Sequence, residues 1–283
     1  MSNALFRDPD TFLLFEPPPA AALHRWTAPL RWYFNPQLDG LAHLDANEPR
    51  LYVGNHTLGS IDWPLLLSEV YSAKGIYLRS LGDRMHGVVP LWRDQVGRLG
   101  IVEGSRANCA ALMEAGEHIL VYPGGAREVC KRKGENYTLT WKKRTGFVHM
   151  AIKYGYPIQP VASVGADNAY GLLLDAEDVR RSPLGRLLAR TGVADQWLRG
   201  GDIIPPVPIG LGPTLLPRPE RFYFGFPPPI AVDTYRGKQN DGRVLRAVRN
   251  RVAKAIEGEI SRLLLQRERD RERSWMRRWL TRG

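Results

Sequence analysis

Short apolar runs alternate with longer amphipathic stretches between residues 50 and 165. This alternation is typical of strands and helices that build a largely parallel sheet covered by helices. We therefore predict a single-domain α/β fold with a mostly parallel or mixed central sheet. The predicted strands are Leu51–Val53, Ile76–Leu78, Ile119–Tyr122 and Ile158–Val164, and the predicted helices cover 63–72, 105–115 and 145–154.

Two flanking segments differ in pattern from this central region. Residues 1–48 are rich in proline and aromatic residues and are interpreted as an N-terminal amphipathic segment. Residues 241–283 have apolar residues at every fourth position from Val244 to Leu264, which predicts a basic C-terminal amphipathic helix. Between them, residues 49–240 form the predicted main domain. Within it, 221–226 is interpreted as a strand, and the prolines between 205 and 219 argue against a long helix or a central strand.

Composition indicates a folded protein with an anionic partner. The 283 residues are 43% hydrophobic and 24% charged, which is typical of a globular chain. Lys and Arg total 40 against 29 Asp and Glu, so the net charge is +11. This excess indicates a lipid surface, a phosphorylated cofactor or nucleic acid as partner, without choosing among the three.

The compartment is inferred from what the sequence lacks. Cys109 and Cys130 are too few for a disulfide framework or a four-cysteine zinc site. The first residues do not have the pattern of an export signal, and no run of 18 apolar residues predicts a membrane span. We therefore expect a cytoplasmic protein.

The stretch GNHTLGSID places His56 after a predicted strand and Asp62 at the first turn of a predicted helix. Open α/β sheets usually bind their ligands at the carboxyl ends of strands. If the turn brings Asp62 to one ring nitrogen of His56, the carboxylate raises the basicity of the other nitrogen, as a general base requires. An aspartate that only caps the helix, beside a solvent-facing histidine, explains the same spacing.

A glycine loop follows another predicted strand, in the stretch YPGGAREVCKRKGE. Gly124 and Gly125 let the backbone approach a ligand, so that its amides can bind an oxyanion, and Arg127 can hold a phosphate. In GSRANCAALM, Arg106 begins a helix, where a bound anion would compensate the conflict between its charge and the helix dipole. Taken singly, these stretches are explained equally well by a glycine turn and solvated charges.

Several chemistries lack their usual motifs in this sequence. There is no Gly-x-Ser-x-Gly elbow, no phosphate loop ending in Gly-Lys-Ser/Thr, no dinucleotide glycine fingerprint and no His-Glu-x-x-His. The other histidines have no metal-ligand spacing with Asp, Glu or Cys. We therefore expect no bound metal and no NAD cofactor.

In their order along the chain, GNHTLGSID, GSRANCAALM, YPGGAREVCKRKGE and PIQPVASVGAD resemble the glycerolipid acyltransferase superfamily over roughly residues 48 to 230. Two features differ from most lysophosphatidate acyltransferases. Five residues rather than four separate His56 from Asp62, and Gly124 replaces the glutamate of a Pro-Glu-Gly-Thr-Arg motif. Both features are similar to the diacylglycerol-acyltransferase-like branch, which contains the plant phytyl-ester synthases and esterifies neutral lipid alcohols.

The resemblance implies a glycerol-phosphate acyltransferase-like fold, with residues 49–240 as the acyltransferase domain. It implies transfer of a fatty acyl group from acyl-CoA or an acylated carrier protein to diacylglycerol, monoacylglycerol or a long-chain alcohol. His56 would be the general base and Asp62 its orienting acid. No cofactor is implied apart from the acyl-CoA co-substrate. The implied substrate-binding residues are Arg106, Gly124, Gly125 and Arg127.

A lipid acceptor also implies contact with a membrane. We expect a peripheral protein on the inner face, held at an anionic surface by amphipathic elements and basic charge. One candidate contact is the aromatic cluster Trp26–Phe34, for which packing in the core is an equal alternative. The other is the terminal segment Trp275–Leu280, whose removal with the rest of residues 271–283 should weaken binding to anionic vesicles.

Three alternative functions stay open. The nearest is acylation of lysophosphatidate in phospholipid synthesis. A catalytically silent lipid- or membrane-binding module is the non-enzyme alternative, although the presence of both His56 and Asp62 argues against it. Nucleic-acid binding is the third, because the net charge allows it, but it is not expected, since no recognised motif accompanies the basic residues.

Overall fold

The computed structural model describes residues 4–87, 95–182 and 204–270. Within these ranges, nine strands form one seven-stranded sheet and one two-stranded sheet. In chain order, the strands are β1 (Gln37–Asp39), β2 (Leu51–Gly54), β3 (Arg79–Gly82), β4 (Val102–Glu103), β5 (Ile119–Val121), β6 (Ile158–Val164), β7 (Gly171–Leu174), β8 (Val207–Ile209) and β9 (Tyr223–Gly225).

The large sheet has the strand order β1-β9-β6-β2-β5-β3-β4. Neighbouring strands are parallel except β6 and β9, which run antiparallel. β2 lies in the centre, with Val53 opposite Val121 of β5 and Pro160 of β6. The carboxyl ends of β2, β5 and β6 therefore meet at one edge of the sheet.

Helices cover both faces of the large sheet. Their bounds are α1 (Ala4–Arg7), α2 (Pro9–Phe12), α3 (Ala20–Trp26), α4 (Ala28–Phe34), α5 (Trp63–Lys74), α6 (Arg106–Glu114), α7 (Ala126–Val129), α8 (Gly146–Tyr154), α9 (Ala176–Arg181) and α10 (Gly242–Arg269). The mixed sheet flanked by helices confirms the predicted α/β class.

Alternation along β2 divides the core into two layers. Leu51 and Val53 point into a cluster with the buried sides of α6, α8 and α10. Tyr52 points the other way, into a cluster with α3, α4 and α5. The two layers hold the sheet from both sides, so the loops at its carboxyl edge rest on a rigid support.

Helix α10 has the apolar period that the sequence predicts. Its buried residues are spaced by three or four positions and pack on β6 and β9; they are Val248, Val252, Ile256, Ile260 and Leu263. The terminal segment Trp275–Leu280 lies outside the described residues. The proposed division into segments 1–48, 49–240 and 241–283 stays a prediction.

Six strands differ from the sequence prediction. β3 begins at Arg79, just after the predicted run 76–78, and β1 lies within the N-terminal segment. β4, β7 and β8 are not among the predicted strands, and β7 pairs antiparallel with β8, which lies in the proline-rich stretch 205–219. β9 is shorter than the predicted run 221–226. In the described parts of the chain, no helix has the length and apolar character that a membrane crossing needs.

Candidate active site

His56 lies in the turn after β2, at the carboxyl edge of the large sheet. The turn contains two successive residues with left-handed backbone, Gly59 at φ 64° and Ser60 at φ 55°. A non-glycine residue in this region stores strain and needs support from its surroundings. The Ser60 hydroxyl lies 3.1 Å from Nδ1 of His56 and 3.4 Å from its Nε2. The strained turn therefore brings a hydroxyl against the imidazole.

The imidazole is fixed on its flat face by an aromatic ring. Tyr122, the residue after β5, stacks on His56 with ring centres 4.1 Å apart and an interplanar angle of 13°. A Cβ at Gly54 would lie 3.0 Å from the Tyr122 ring, so the absence of a side chain at residue 54 leaves room for that ring. The end of β2 and the end of β5 thus hold the histidine together.

The electrostatic environment of His56 favours the neutral imidazole. Burial is the main cause that lowers the pKa of His56 to about 3, with smaller contributions from Lys131 and then His86. A neutral ring has an unprotonated nitrogen available near pH 7, which is the form that accepts a proton.

Asp62 is buried directly before α5 and accepts two hydroxyl hydrogen bonds. Thr57 donates to its Oδ1 and Ser163, on β6, donates to its Oδ2. Burial raises the pKa of Asp62, and the hydrogen bonds from Ser163 and Thr57 oppose that rise. The described structure contains no hydrogen bond between Asp62 and His56, so the orienting role of the carboxylate stays a prediction.

The glycine loop begins directly after Tyr122, the residue that stacks on His56. Gly125 has φ 54° and ψ −151°, a conformation that favours glycine, and its amide donates to the Tyr122 carbonyl at 2.9 Å. The Gly124 amide has no such bond within the residues that the structure describes. Of the two predicted oxyanion donors, Gly124 is therefore the one whose N–H group has no backbone partner among the described residues, and the residue itself is buried.

The Arg127 side chain is held by other groups of the protein. Its buried guanidinium forms a two-pronged ion pair with Glu135, at 2.9 Å and 2.5 Å, and also donates to the Cys130 carbonyl at 3.2 Å. These contacts close the loop between residues 127 and 135. The predicted phosphate contact by Arg127 stays a prediction, and it would compete with this ion pair.

Arg106 begins α6, as predicted, and is exposed on a neighbouring cavity of about 480 Å³. Lys143 and Arg144 line the same cavity. Pro123 also lines it, and its carbonyl accepts from Arg144 at 2.6 Å, which joins the cavity to the glycine loop. The rest of the lining is largely apolar and includes Leu51, Leu81, Cys109, Val121, Phe147 and Met150.

Sequence reasoning missed several groups around His56. Ser60 and Tyr122 lie inside the stretches that drew attention, but they have no motif of their own. Ser163 reaches Asp62 from 101 residues further along the chain, and only the pairing of β2 with β6 reveals that contact. The structure also buries Glu128 and Lys131 beneath the turn, where the sequence indicated a solvated basic run.

Known proteins are similar in sequence to this region. Residues 35–164 match the family model described as Acyltransferase. The chain is 31% identical over 255 residues to phytyl ester synthase 2, chloroplastic, from Arabidopsis thaliana. The aligned part covers 85% of this chain and 36% of that protein. It is 36% identical over 84 residues to diacylglycerol O-acyltransferase 2B from Umbelopsis ramanniana, covering 29% of this chain and 24% of that one.

A solved structure has a similar fold. The 1-acyl-sn-glycerophosphate acyltransferase PlsC from Thermotoga maritima superposes with a TM-score of 0.51 at 14% identity, over 84% of this chain and 79% of that chain. The chain spans about a third of the length of phytyl ester synthase 2 and of phytyl ester synthase 1, chloroplastic, from the same plant, which it also matches.

Proposed function

We propose, from the premise that this chain belongs to the glycerolipid acyltransferase superfamily, that it moves a fatty acyl group from an acyl thioester to a lipid hydroxyl. The observation that carries the proposal is the geometry of His56, which is half-buried and stacked on Tyr122 where the glycine loop begins. A base beside a loop with an available amide is what attack of an alcohol on a thioester requires.

The reaction follows from these groups. The unprotonated nitrogen of His56 takes the proton of the acceptor hydroxyl as its oxygen attacks the thioester carbonyl. The Gly124 amide is the candidate donor to the oxyanion of the tetrahedral intermediate. When the intermediate collapses, the carbon–sulfur bond breaks and the thiolate receives the proton held by His56. An ester and a free thiol result, with no acyl-enzyme and no metal required.

Asp62 is proposed to stabilise the protonated His56 through the turn. Its carboxylate lies under the same turn and is held by Thr57 and Ser163. A shift that brought it to the imidazole during the reaction would fix the ring tautomer, as the sequence predicts.

The acceptor is proposed to be a neutral lipid alcohol such as diacylglycerol, monoacylglycerol or a long-chain alcohol. Arg127, the arginine of the glycine loop, is bound to Glu135, so a phosphate on the acceptor would have to displace that carboxylate. A lysophosphatidate acceptor is therefore the less favoured alternative.

The donor is proposed to be acyl-CoA or an acylated carrier protein. Arg106, Lys143 and Arg144 gather on the cavity next to the glycine loop. Cations at this position suit the phosphates that both carriers bear, and the apolar lining suits an acyl chain.

Membrane contact is proposed to occur through an apolar surface made of Trp26, Leu30, Trp32, Leu215 and Leu216. Trp26 is 65% exposed, Trp32 80% and Leu215 69%, so the aromatic cluster is only partly in the core. Tyr33, next to Trp32, donates to the Pro217 carbonyl at 2.5 Å, which places the two parts of the surface side by side. Together with the net charge of +11, this surface suits a peripheral site on an anionic membrane on the cytoplasmic side.

An acceptor panel tests the proposed function. The purified protein is incubated with labelled acyl-CoA and vesicles that contain lysophosphatidate, monoacylglycerol, diacylglycerol or a long-chain alcohol. We expect an ester of a neutral acceptor with wild-type protein and roughly a hundred- to ten-thousand-fold less of it with His56→Ala. His118→Ala is the matched control, because His118 precedes β5 at the opposite edge of the sheet. Product from lysophosphatidate alone would support the alternative acceptor, and no product from any acceptor would favour the silent lipid-binding module.

A further inference from the structure

Gly124 is a glycine for a reason of space, not of backbone conformation. Its φ lies outside the left-handed region that favours glycine. A Cβ at this position would lie 2.5 Å from Cβ and Cδ of Glu128 and closer still to Oε2 of the same residue. The Glu128 side chain therefore folds back from α7 and fills the space beside residue 124. Glycine at 124 and glutamate at 128 form one packing unit.

The Glu128 carboxyl group is buried in an unusual way. The residue is 0% exposed, and neither carboxyl oxygen has a well-formed hydrogen bond. The backbone N–H groups of His56 and Thr140 face it. A buried carboxyl group with so little compensation costs stability, since its charge is removed from water without full pairing. The stability cost of burying the Glu128 carboxyl group beside the His56 amide therefore requires an explanation.

Other charged groups face Glu128 from the elements around it. Lys131 is buried in the loop after α7, and its Nζ lies 3.4 Å from Oδ2 of Asp167. Asp167 in turn accepts from the Leu58 amide at 2.8 Å and from the Tyr137 amide at 2.8 Å. Two carboxyl groups thus lie beneath the histidine turn, one at the amide of residue 56 and one at the amide of residue 58.

We propose that Glu128 is a positioning residue, which links the glycine loop to the histidine turn and keeps His56 in register with Gly124. Its Cβ and its carboxyl end both pack on residue 124, the carboxyl group faces the His56 amide, and α7, which carries Glu128, packs against the turn residues Leu58–Ser60. Proton transfer and oxyanion binding must act on the same bound thioester, and a displacement of about 1 Å can lower the rate about a hundredfold. The inference rests on the proposed function.

Substitutions at both positions test this link. Glu128→Ala removes the side chain that fills the space beside Gly124. We therefore expect kcat to fall about 10- to 100-fold while KM changes by less than about threefold. Glu128→Gln keeps the volume and an acceptor oxygen, so its kcat should stay within about threefold of wild type. Glu117→Gln, at the opposite edge of the sheet, is the matched control.

The clash gives an independent check. Gly124→Ala alone should lower kcat at least about tenfold, because its methyl group overlaps the Glu128 side chain. Gly124→Ala combined with Glu128→Ala should be no worse than Glu128→Ala alone, since the overlap is gone. If Glu128→Ala fails to fold, the variant that combines it with Gly124→Ala replaces it in the kinetic comparison, because the added methyl group fills part of the space left by Glu128.

A readout without turnover separates this inference from the proposed function. The rate of His56 modification by diethyl pyrocarbonate, measured by peptide mass spectrometry, should rise at least about threefold in Glu128→Ala and stay within about twofold in Glu128→Gln. Unchanged His56 reactivity in Glu128→Ala would overturn the positioning role. If wild-type protein acylates no acceptor, the proposed function fails, and the modification rates still decide whether Glu128 positions His56.

Discussion

Replacement of Glu128 by glutamine should stabilise the protein at neutral and alkaline pH. Burial raises the pKa of Glu128 to about 7 from the ordinary 4.5, and Lys131 only partly opposes this rise. A raised folded-state pKa means that stability is fully present below about pH 4.5 and is lost as pH rises through about 7. At about 1.4 kcal/mol for each pKa unit, the loss is about 3 kcal/mol.

Glutamine cannot ionise, so Glu128→Gln should escape this loss. Urea denaturation followed by tryptophan fluorescence, at pH values from 4 to 8.5, gives the free energy of unfolding of both proteins. The difference in favour of the variant should grow by about 3 kcal/mol between pH 4 and pH 8.5.

The titration of His56 also changes the free energy of unfolding with pH, but this change is the same in both proteins and cancels in the difference. The pKa of His56 is lowered to about 3, so its contribution is lost as pH falls from about 6.5 towards 3, in the variant and in wild type alike. A stability difference that stays constant within about 0.5 kcal/mol across the range would refute the claim that Glu128 is a costly buried acid.

Three further predictions concern other parts of the site and surface. Asp62→Ala should lower the free energy of unfolding by about 1–3 kcal/mol in urea denaturation at pH 7.5, because the Thr57 and Ser163 hydroxyls lose their acceptor; an unchanged midpoint would contradict this. Glu135→Gln should weaken the ion pair that holds the Arg127 guanidinium and raise the rate with lysophosphatidate relative to diacylglycerol, and an unchanged ratio would count against the proposed basis of acceptor choice. Trp26→Glu combined with Trp32→Glu should reduce co-sedimentation with anionic vesicles more than about tenfold, whereas Leu265→Glu, at an exposed leucine outside the apolar surface, should not; equal effects would argue against that surface.

The local pattern of the sequence was sufficient to predict the turn that carries His56. An apolar run, a polar turn and a proline near the start of an apolar helix are all local signals, and β2 and α5 formed where those signals lie. The start of β3 was missed because Arg79 is charged and yet buried. Its guanidinium is bound by Glu117 and by the carbonyls of Gly100 and Phe12, which lie far away in sequence.

The surroundings of the site depended on contacts that no local pattern contains. Lys131 belongs to a run of three basic residues, which normally indicates solvated charge, but it is buried and paired with Asp167. The Arg127–Glu135 pair lies within one quoted stretch, but only the fold shows that the arginine uses the nearby carboxylate. The reason for glycine at 124 also could not be predicted from the sequence, because it depends on the direction that the Glu128 side chain takes.

The most direct test of the account is the initial rate of ester formation from labelled acyl-CoA and diacylglycerol vesicles, measured for wild type, His56→Ala and His118→Ala. We predict that His56→Ala loses roughly a hundred- to ten-thousand-fold in rate, with an unchanged urea midpoint, while His118→Ala keeps the wild-type rate. Ester formation by His56→Ala at near the wild-type rate would contradict the claim that His56 is the general base.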